Sequence, residues 1–268
     1  MGILDKIISA KEDRLLKEKA SISLDELIKS KPEHETIFPL EKILTKKNIL
    51  ISEMKRQSPS GGNLDQSLIP KDQAEMYINA GSDAISVLTE KDYFMGSEKD
   101  LSDVLEITKN KQIPVLQKDF IIDEYQIYNA KKLGADCILL ITRILSMEKY
   151  LEFYELSKSL GLSAIVEIFD ESELDFALKA DINIIGINNR NLDSLETNLE
   201  NFEKISSMVP SKIFKIAESG IKNSNDAKRM IDSGANGLLV GESIMRSTNR
   251  SKIIKIGQTI CALNSLHV

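Results

Sequence analysis

Eight short apolar runs, each about one βα unit from the next, predict an α/β chain wound into a closed (β/α)8 TIM barrel with an N-terminal helical extension. Three observations support this. The runs are nearly unbroken Val, Ile and Leu, as in Ile113-Pro114-Val115-Leu116-Gln117 and Ile184-Ile185-Gly186-Ile187, which describes strands covered on both faces. Their ends, at Glu53, Leu88, Lys118, Ile141, Glu167, Asn188, Glu218 and Gly241, lie 21 to 35 residues apart. Four units repeat one entry pattern: Gly81-Ser82-Asp83-Ala84-Ile85, Gly134-Ala135-Asp136-Cys137-Ile138, Gly161-Leu162-Ser163-Ala164-Ile165 and Gly234-Ala235-Asn236-Gly237-Leu238. A glycine just past a helix can take the left-handed conformation that closes its last turn. Eight units favour closure; a doubly wound open sheet is the second arrangement.

The extension occupies residues 1–47. Between 3 and 16, apolar residues at 3, 4, 7, 8, 15 and 16 with charges between them predict an amphipathic helix. Ser23 and Glu26 have capping-box spacing, so a second short helix starts there and stops before Pro32. The first strand, Ile49-Leu50-Ile51-Ser52, ends in Glu53, and the second follows Gly81 and ends at Leu88. Lys118 closes the third, and the fourth follows Gly134 to Ile141. Ala164-Ile165-Val166 ends in Glu167, the sixth run in Asn188, and Phe214-Lys215-Ile216-Ala217 in Glu218. The eighth follows Gly234 to Gly241. No low-complexity segment or long linker divides the chain, so residues 1–268 are expected to form one domain.

At 42% hydrophobic and 28% charged residues, the composition is that of a globular protein with a substantial core, not a disordered chain. Cys137 and Cys261 form no CxxC pair, which argues against a disulfide framework and for a reducing compartment. Charges at Asp5, Lys6, Lys11, Glu12 and Asp13 interrupt any signal-peptide core, and no apolar stretch nears the roughly 20 residues of a membrane span. A cytoplasmic location is expected. The net charge of −6 offers no general attraction to nucleic acid or anionic membrane, so an anionic ligand needs a local positive site, which Lys55 and Lys118 can supply.

Residues two apart in a strand share a face. Glu53 shares parity with Ile51 and Lys55, Lys118 with Leu116, Glu167 with Ile165 and Glu218 with Ile216, so these groups can point inward above aliphatic layers. There a lysine can donate a proton or hold an anion, and a glutamate can act as base or acid. Any one such tip is as readily a solvated strand end; five around one mouth point to a site. Ser219-Gly220-Ile221 after the seventh strand and Gly241-Glu242-Ser243 after the eighth stand where barrels commonly bind phosphate through backbone N–H groups, with Glu242 turned away from the anion. Each glycine alone is more often a plain turn residue. His34 and His267 lack neighbours at metal-ligand spacing, and no GxGxxG or GxxxxGK[ST] motif occurs. Tyr93-Phe94-Met95-Gly96 is a hydrophobic lid or ordinary packing.

These residues form a recognisable set. Glu53-Met54-Lys55-Arg56-Gln57-Ser58-Pro59-Ser60, Ser86-Val87-Leu88-Thr89-Glu90, Lys118-Asp119-Phe120-Ile121-Ile122-Asp123, Val166-Glu167, Gly186-Ile187-Asn188-Asn189-Arg190-Asn191-Leu192, Glu218-Ser219-Gly220-Ile221 and Leu239-Val240-Gly241-Glu242 resemble the motifs of the indole-3-glycerol phosphate synthase family. The resemblance covers nearly the whole chain, including Ile3-Leu4-Asp5-Lys6-Ile7. It implies ring closure, decarboxylation and dehydration of an anionic sugar phosphate, 1-(2-carboxyphenylamino)-1-deoxyribulose 5-phosphate, in tryptophan biosynthesis, without metal or organic cofactor.

By position, the resemblance makes Lys118 the general acid on the ketone oxygen. Glu167 and Lys55 would handle the protons of dehydration, with Lys55 also holding the substrate carboxylate. Glu53 and Asn188 would orient sugar hydroxyls, Glu218 would support the network, and Arg190 would lie near the anthranilate. Ser219, Gly220, Gly241, Ser58 and the Glu242 backbone would surround the phosphate or line the site, as would Leu192, and Phe120 would pack on the aromatic ring. Gly61, Gln117 and Phe169 depart from the lysine, arginine and histidine common in relatives. A monofunctional monomer is expected, with no second barrel. The rivals are an isomerase of the phosphoribosylanthranilate isomerase type, which commonly pairs a carboxylic acid with a cysteine, and a barrel that only binds its ligand.

Overall fold

A computed structural model describes residues 2–34, 37–245 and 251–264. Eight parallel strands run in chain order around a closed barrel: β1 (Ile49–Met54), β2 (Ala84–Leu88), β3 (Val115–Lys118), β4 (Cys137–Ile141), β5 (Ser163–Ile168), β6 (Ile184–Asn188), β7 (Phe214–Glu218) and β8 (Gly237–Val240). Closure is made by β8 against β1, with Leu239 opposite Ile51 and Val240 opposite Ser52, which rules out the open doubly wound sheet. The expected strand ends fall within one residue of those observed. Gly81, Gly134, Gly161 and Gly234 all have left-handed φ, between 76° and 94°, so each closes a helix as the repeat requires.

Strand parity sorts the core into two shells. Ile51, Leu116, Ile165 and Ile216 fill the barrel interior, while Val87, Val115, Val166 and Ile185 pack outward under the helices. Those helices begin at polar caps that the sequence supplies: Ser97, Asp123, Ser146, Asp170 and Asn223 each accept a hydrogen bond from a first-turn N–H. Each cap fixes where a loop ends, and hence how much chain is left to build the mouth.

The extension covers both ends of the barrel. Helix α1 (Ile3–Ser21) outruns its predicted end at 16 by five residues and lays Leu4 and Ile7 over the mouth, in one cluster with Phe120, Leu139 and Ile141. Helix α2 (Leu24–Lys29) has the expected box, in which Ser23 Oγ accepts from Glu26 N and the Glu26 carboxylate from Ser23 N. A further helix, α3 (Glu41–Leu44), was not expected; Leu40 and Leu44 plug the opposite end, where Leu40 N donates to Ser163 Oγ at the start of β5. No helix among the described residues is long and apolar enough to cross a membrane.

Candidate active site

The odd-numbered strands put four charged side chains into one layer. Glu53 on β1, Lys118 on β3, Glu167 on β5 and Glu218 on β7 face one another directly above the layer of Ile51, Leu116, Ile165 and Ile216, as alternate-strand layering of a barrel demands. Lys118 Nζ lies 2.7 Å from Glu218 Oε2, 3.5 Å from Glu167 Oε2 and 4.0 Å from Glu53 Oε2. Lys55, two residues beyond Glu53 on the same face, gives its ammonium to Glu53 Oε1. Asn188 Nδ2 donates to Glu167 Oε1 at 3.2 Å, and Asn188 Oδ1 accepts from Arg190 N at 3.0 Å. The three carboxylate side chains are at most 5% exposed, so they interact through a low-dielectric interior.

Burial alone would favour the neutral forms of Lys118, Glu53 and Glu218, and the neighbours decide otherwise for the first two. Burial would lower the Lys118 pKa, but Glu218, Glu167 and Glu53 outweigh it and push it well up. Burial would raise that of Glu53, but Lys55 and Lys118 hold it below the usual carboxylate range. Glu218 goes the other way: burial, reinforced by Glu167 and Glu53, prevails over Lys118 and raises it to about 7. Three acids around two ammonium groups carry one negative charge too many for a buried site, and the raised Glu218 pKa reflects that excess. Glu218 Oε1 is buried without a hydrogen-bond partner among the described residues.

Two glycines make room for these acids. A Cβ on Gly186 of β6 would lie 2.2 Å from Glu218 Oε1, and one on Gly241 would lie 2.4 Å from Glu53 Oε1. Neither role was legible in the sequence, which offered Gly241 only as a phosphate-side residue. After β7, Ser219 and Gly220 have φ of 64° and 82°, so the chain turns through two successive left-handed residues. Ser243 Oγ donates to Ile221 O and Asn189 Nδ2 to Ser219 O, tying the loops after β6, β7 and β8 together. Glu242 turns its carboxylate to Arg190 Nη2, 3.1 Å away.

Every site residue expected from the sequence lines one pocket of about 540 Å³: Lys118, Glu167, Lys55, Glu53, Asn188, Ser219, Ser58, Phe120, Arg190, Leu192, Glu218, Gly220, Gly241 and Glu242. That is a volume suited to a small metabolite. Ile3, Leu4 and Ile7 of α1 close its roof, and Phe94 enters from the loop after β2 with its ring centroid 6.1 Å from that of Phe120. Thus Phe94 belongs to the site wall. Gly61 N donates to Ser58 Oγ, the Gln117 amide reaches Thr89 Oγ1, and the Phe169 ring lies under the Arg143 guanidinium, so the three departures border the site without supplying its charges. Cys137, the first residue of β4, is buried at the far end of the barrel with its thiol pushed up by burial, so it is not at the mouth where an isomerase would use it. His267 lies outside the described residues, and His34 packs against Gly134.

Comparisons with known proteins point one way. A model of the family "Indole-3-glycerol phosphate synthase" matches residues 4–256. An indole-3-glycerol phosphate synthase of Lachnoclostridium phytofermentans is 38% identical over 94% of this chain and 97% of its own length. One of Sulfurisphaera tokodaii is 44% identical over 86% and 93%. Among solved structures, thiamine phosphate pyrophosphorylase from Pyrococcus furiosus aligns with a TM-score of 0.61 at 15% identity, over 82% of this chain and 98% of its own, a likeness of fold alone. The 3-hexulose-6-phosphate synthase of Salmonella typhimurium gives the same score and identity over 80% and 99%.

Proposed function

The chain belongs to the indole-3-glycerol phosphate synthase family, and we propose that it acts as a carboxy-lyase on 1-(2-carboxyphenylamino)-1-deoxyribulose 5-phosphate, closing the indole ring with loss of carbon dioxide and water. The observation that carries this reading is the half-buried Lys118 ammonium held by carboxylates from three strands beside a second ammonium, Lys55.

Ring closure needs a proton delivered to the ketone oxygen as the anilino ring carbon attacks. Lys118 stays protonated because of its carboxylate neighbours, and an alkoxide is more basic than any amine, so the ammonium can still give up its proton to the oxygen as charge develops. Decarboxylation then restores aromaticity in the benzene ring. Dehydration requires one proton to reach the departing hydroxyl and another to leave the ring. Glu167, 3.5 Å from Lys118 Nζ and steadied by Asn188, serves as one carrier, and Lys55 as the other. Lys55 also offers its charge to the substrate carboxylate, with Glu53 and Asn188 orienting the sugar hydroxyls and Glu218 supporting Lys118. The doubly left-handed turn at Ser219 and Gly220 lines the pocket together with Gly241 and Ser58, a cup suited to phosphate. Phe120 and Phe94 offer apolar faces to the aromatic ring.

Turnover of this substrate by the unmodified protein tests the reading, with indole fluorescence and released carbon dioxide followed together. Equal yields of the two are expected. Isomerisation without gas would favour the isomerase, and phosphate-competitive binding without turnover would favour a ligand-binding barrel.

A further inference from the structure

We propose that Lys11 of α1 is a positioning residue for ring closure, acting through Asp119 to fix the tip of β3 that carries Lys118 and Phe120. This rests on the ring-closing reading above. Lys11 lies on the helix stripe formed by Leu4, Ile7 and Leu15, at a place where spacing calls for an apolar side chain, and it is buried there. Its Nζ is 2.6 Å from Asp119 Oδ1, and the two side chains are only 6% and 8% exposed. Packing alone does not account for such a pair. Removing two charges from water costs several kcal/mol per ion, and an apolar residue of similar volume commonly serves stability as well or better. What an ion pair adds is direction.

Asp119 uses that direction on three elements at once. Its Oδ1 also accepts from Phe120 N at 2.7 Å, and its Oδ2 accepts from Thr89 Oγ1 at 2.6 Å. Thr89 N in turn donates to Lys118 O at 3.1 Å, and Gln117 Nε2 donates to Thr89 Oγ1 at 3.2 Å. One carboxylate therefore joins α1, the end of β2 and the Phe120 N–H two residues past Lys118. Three residues further along α1, Arg14 pairs with Asp92 and approaches Glu90. The Glu90 carboxylate accepts the N–H groups of Asp92, Tyr93 and Phe94, shaping the loop that brings the Phe94 ring to Phe120. Helix α1 thus fastens both loops that bear the aromatic wall, and Lys11 holds the one that also carries the proposed acid. Misplacing a reacting group by about 1 Å can cost on the order of 10²-fold in rate.

The test compares kcat, KM and thermal midpoint for the unmodified chain, Lys11→Met, Lys11→Arg and the double variant Lys11→Met/Asp119→Asn. The unmodified chain is assayed first: its failure to close the ring would overturn the functional reading and this proposal with it, whereas the variants below bear on this proposal alone. Given turnover, Lys11→Met is expected to lower kcat by about tenfold or more per folded molecule, with a smaller change in KM. Lys11→Arg should recover most of the loss. The double variant leaves no unpaired buried charge and keeps the measurement possible if Lys11→Met does not fold; it too should show the low kcat. A folded double variant with the kcat of the unmodified chain, or a Lys11→Met loss accounted for by the unfolded fraction, would overturn the proposal.

Discussion

Lys118→Ala is expected to lower kcat by about 10²-fold or more, the share of a rate that a positioned proton donor commonly supplies. The substitution does two things that must be separated. It removes the acid from the ketone oxygen, and it leaves Glu53, Glu167 and Glu218 sharing a buried layer with Lys55 as the nearest counter-charge. The second effect lowers stability, and increasingly so as pH rises and the acids ionise. Lys118→Arg distinguishes them, because the guanidinium keeps the positive charge but is a far weaker acid and has a different shape. Its thermal midpoint should stay nearer that of the unmodified protein than that of Lys118→Ala, while its kcat stays low. Turnover by folded Lys118→Ala at the unmodified rate would remove Lys118 from the reaction.

Glu218→Gln should change how stability depends on pH. The folded protein raises this carboxyl from 4.5 to about 7, so between those values it holds a proton that the unfolded chain has released. Stability contributed by that group is complete below 4.5 and is lost as pH rises towards 7, the reverse of an ordinary ion-paired glutamate. Glutamine cannot titrate and removes the slope. The expected loss in the unmodified protein relative to the variant is on the order of 3 kcal/mol between pH 4.5 and 7.5, or roughly 5–10 °C in midpoint for a chain of this size. Glu53, held low by its two lysines, gives the opposite slope below 4.5 in both proteins and so cancels from the difference. Parallel midpoint curves for the two proteins across this range would show that Glu218 is ionised throughout.

Strand positions and inward faces were legible because each depends on residues close together in the chain. Val, Ile and Leu runs mark strands buried on both sides, and a parity of two assigns Glu53, Lys118, Glu167 and Glu218 to the face of Ile51, Leu116, Ile165 and Ile216. Relations between strands were not legible, since they are set by the stagger of the closed barrel. No spacing shows that Gly186 vacates the place of Glu218 Oε1, or that Glu218, given only a supporting role by resemblance, makes the shortest contact with Lys118. The plug formed by Leu40 and Leu44 was missed because a four-residue helix has too few residues to show a period. Lys11 did leave a trace: the apolar stripe of α1 skips position 11, and a skipped position on a buried helix face signals a polar partner. That partner, Asp119, sits more than a hundred residues away.

A crystal structure with indole-3-glycerol phosphate bound measures the central claim, that charges from alternate strands serve a single molecule. It should place the phosphate on the backbone of Ser219, Gly220 and Gly241, the indole ring beside Phe120, and both Lys118 Nζ and a Glu167 oxygen within about 3.5 Å of that one ligand or of a water bound to it. A product molecule seated elsewhere, or one that meets the phosphate cup while Lys118 remains locked among its carboxylates and out of reach, would contradict the account.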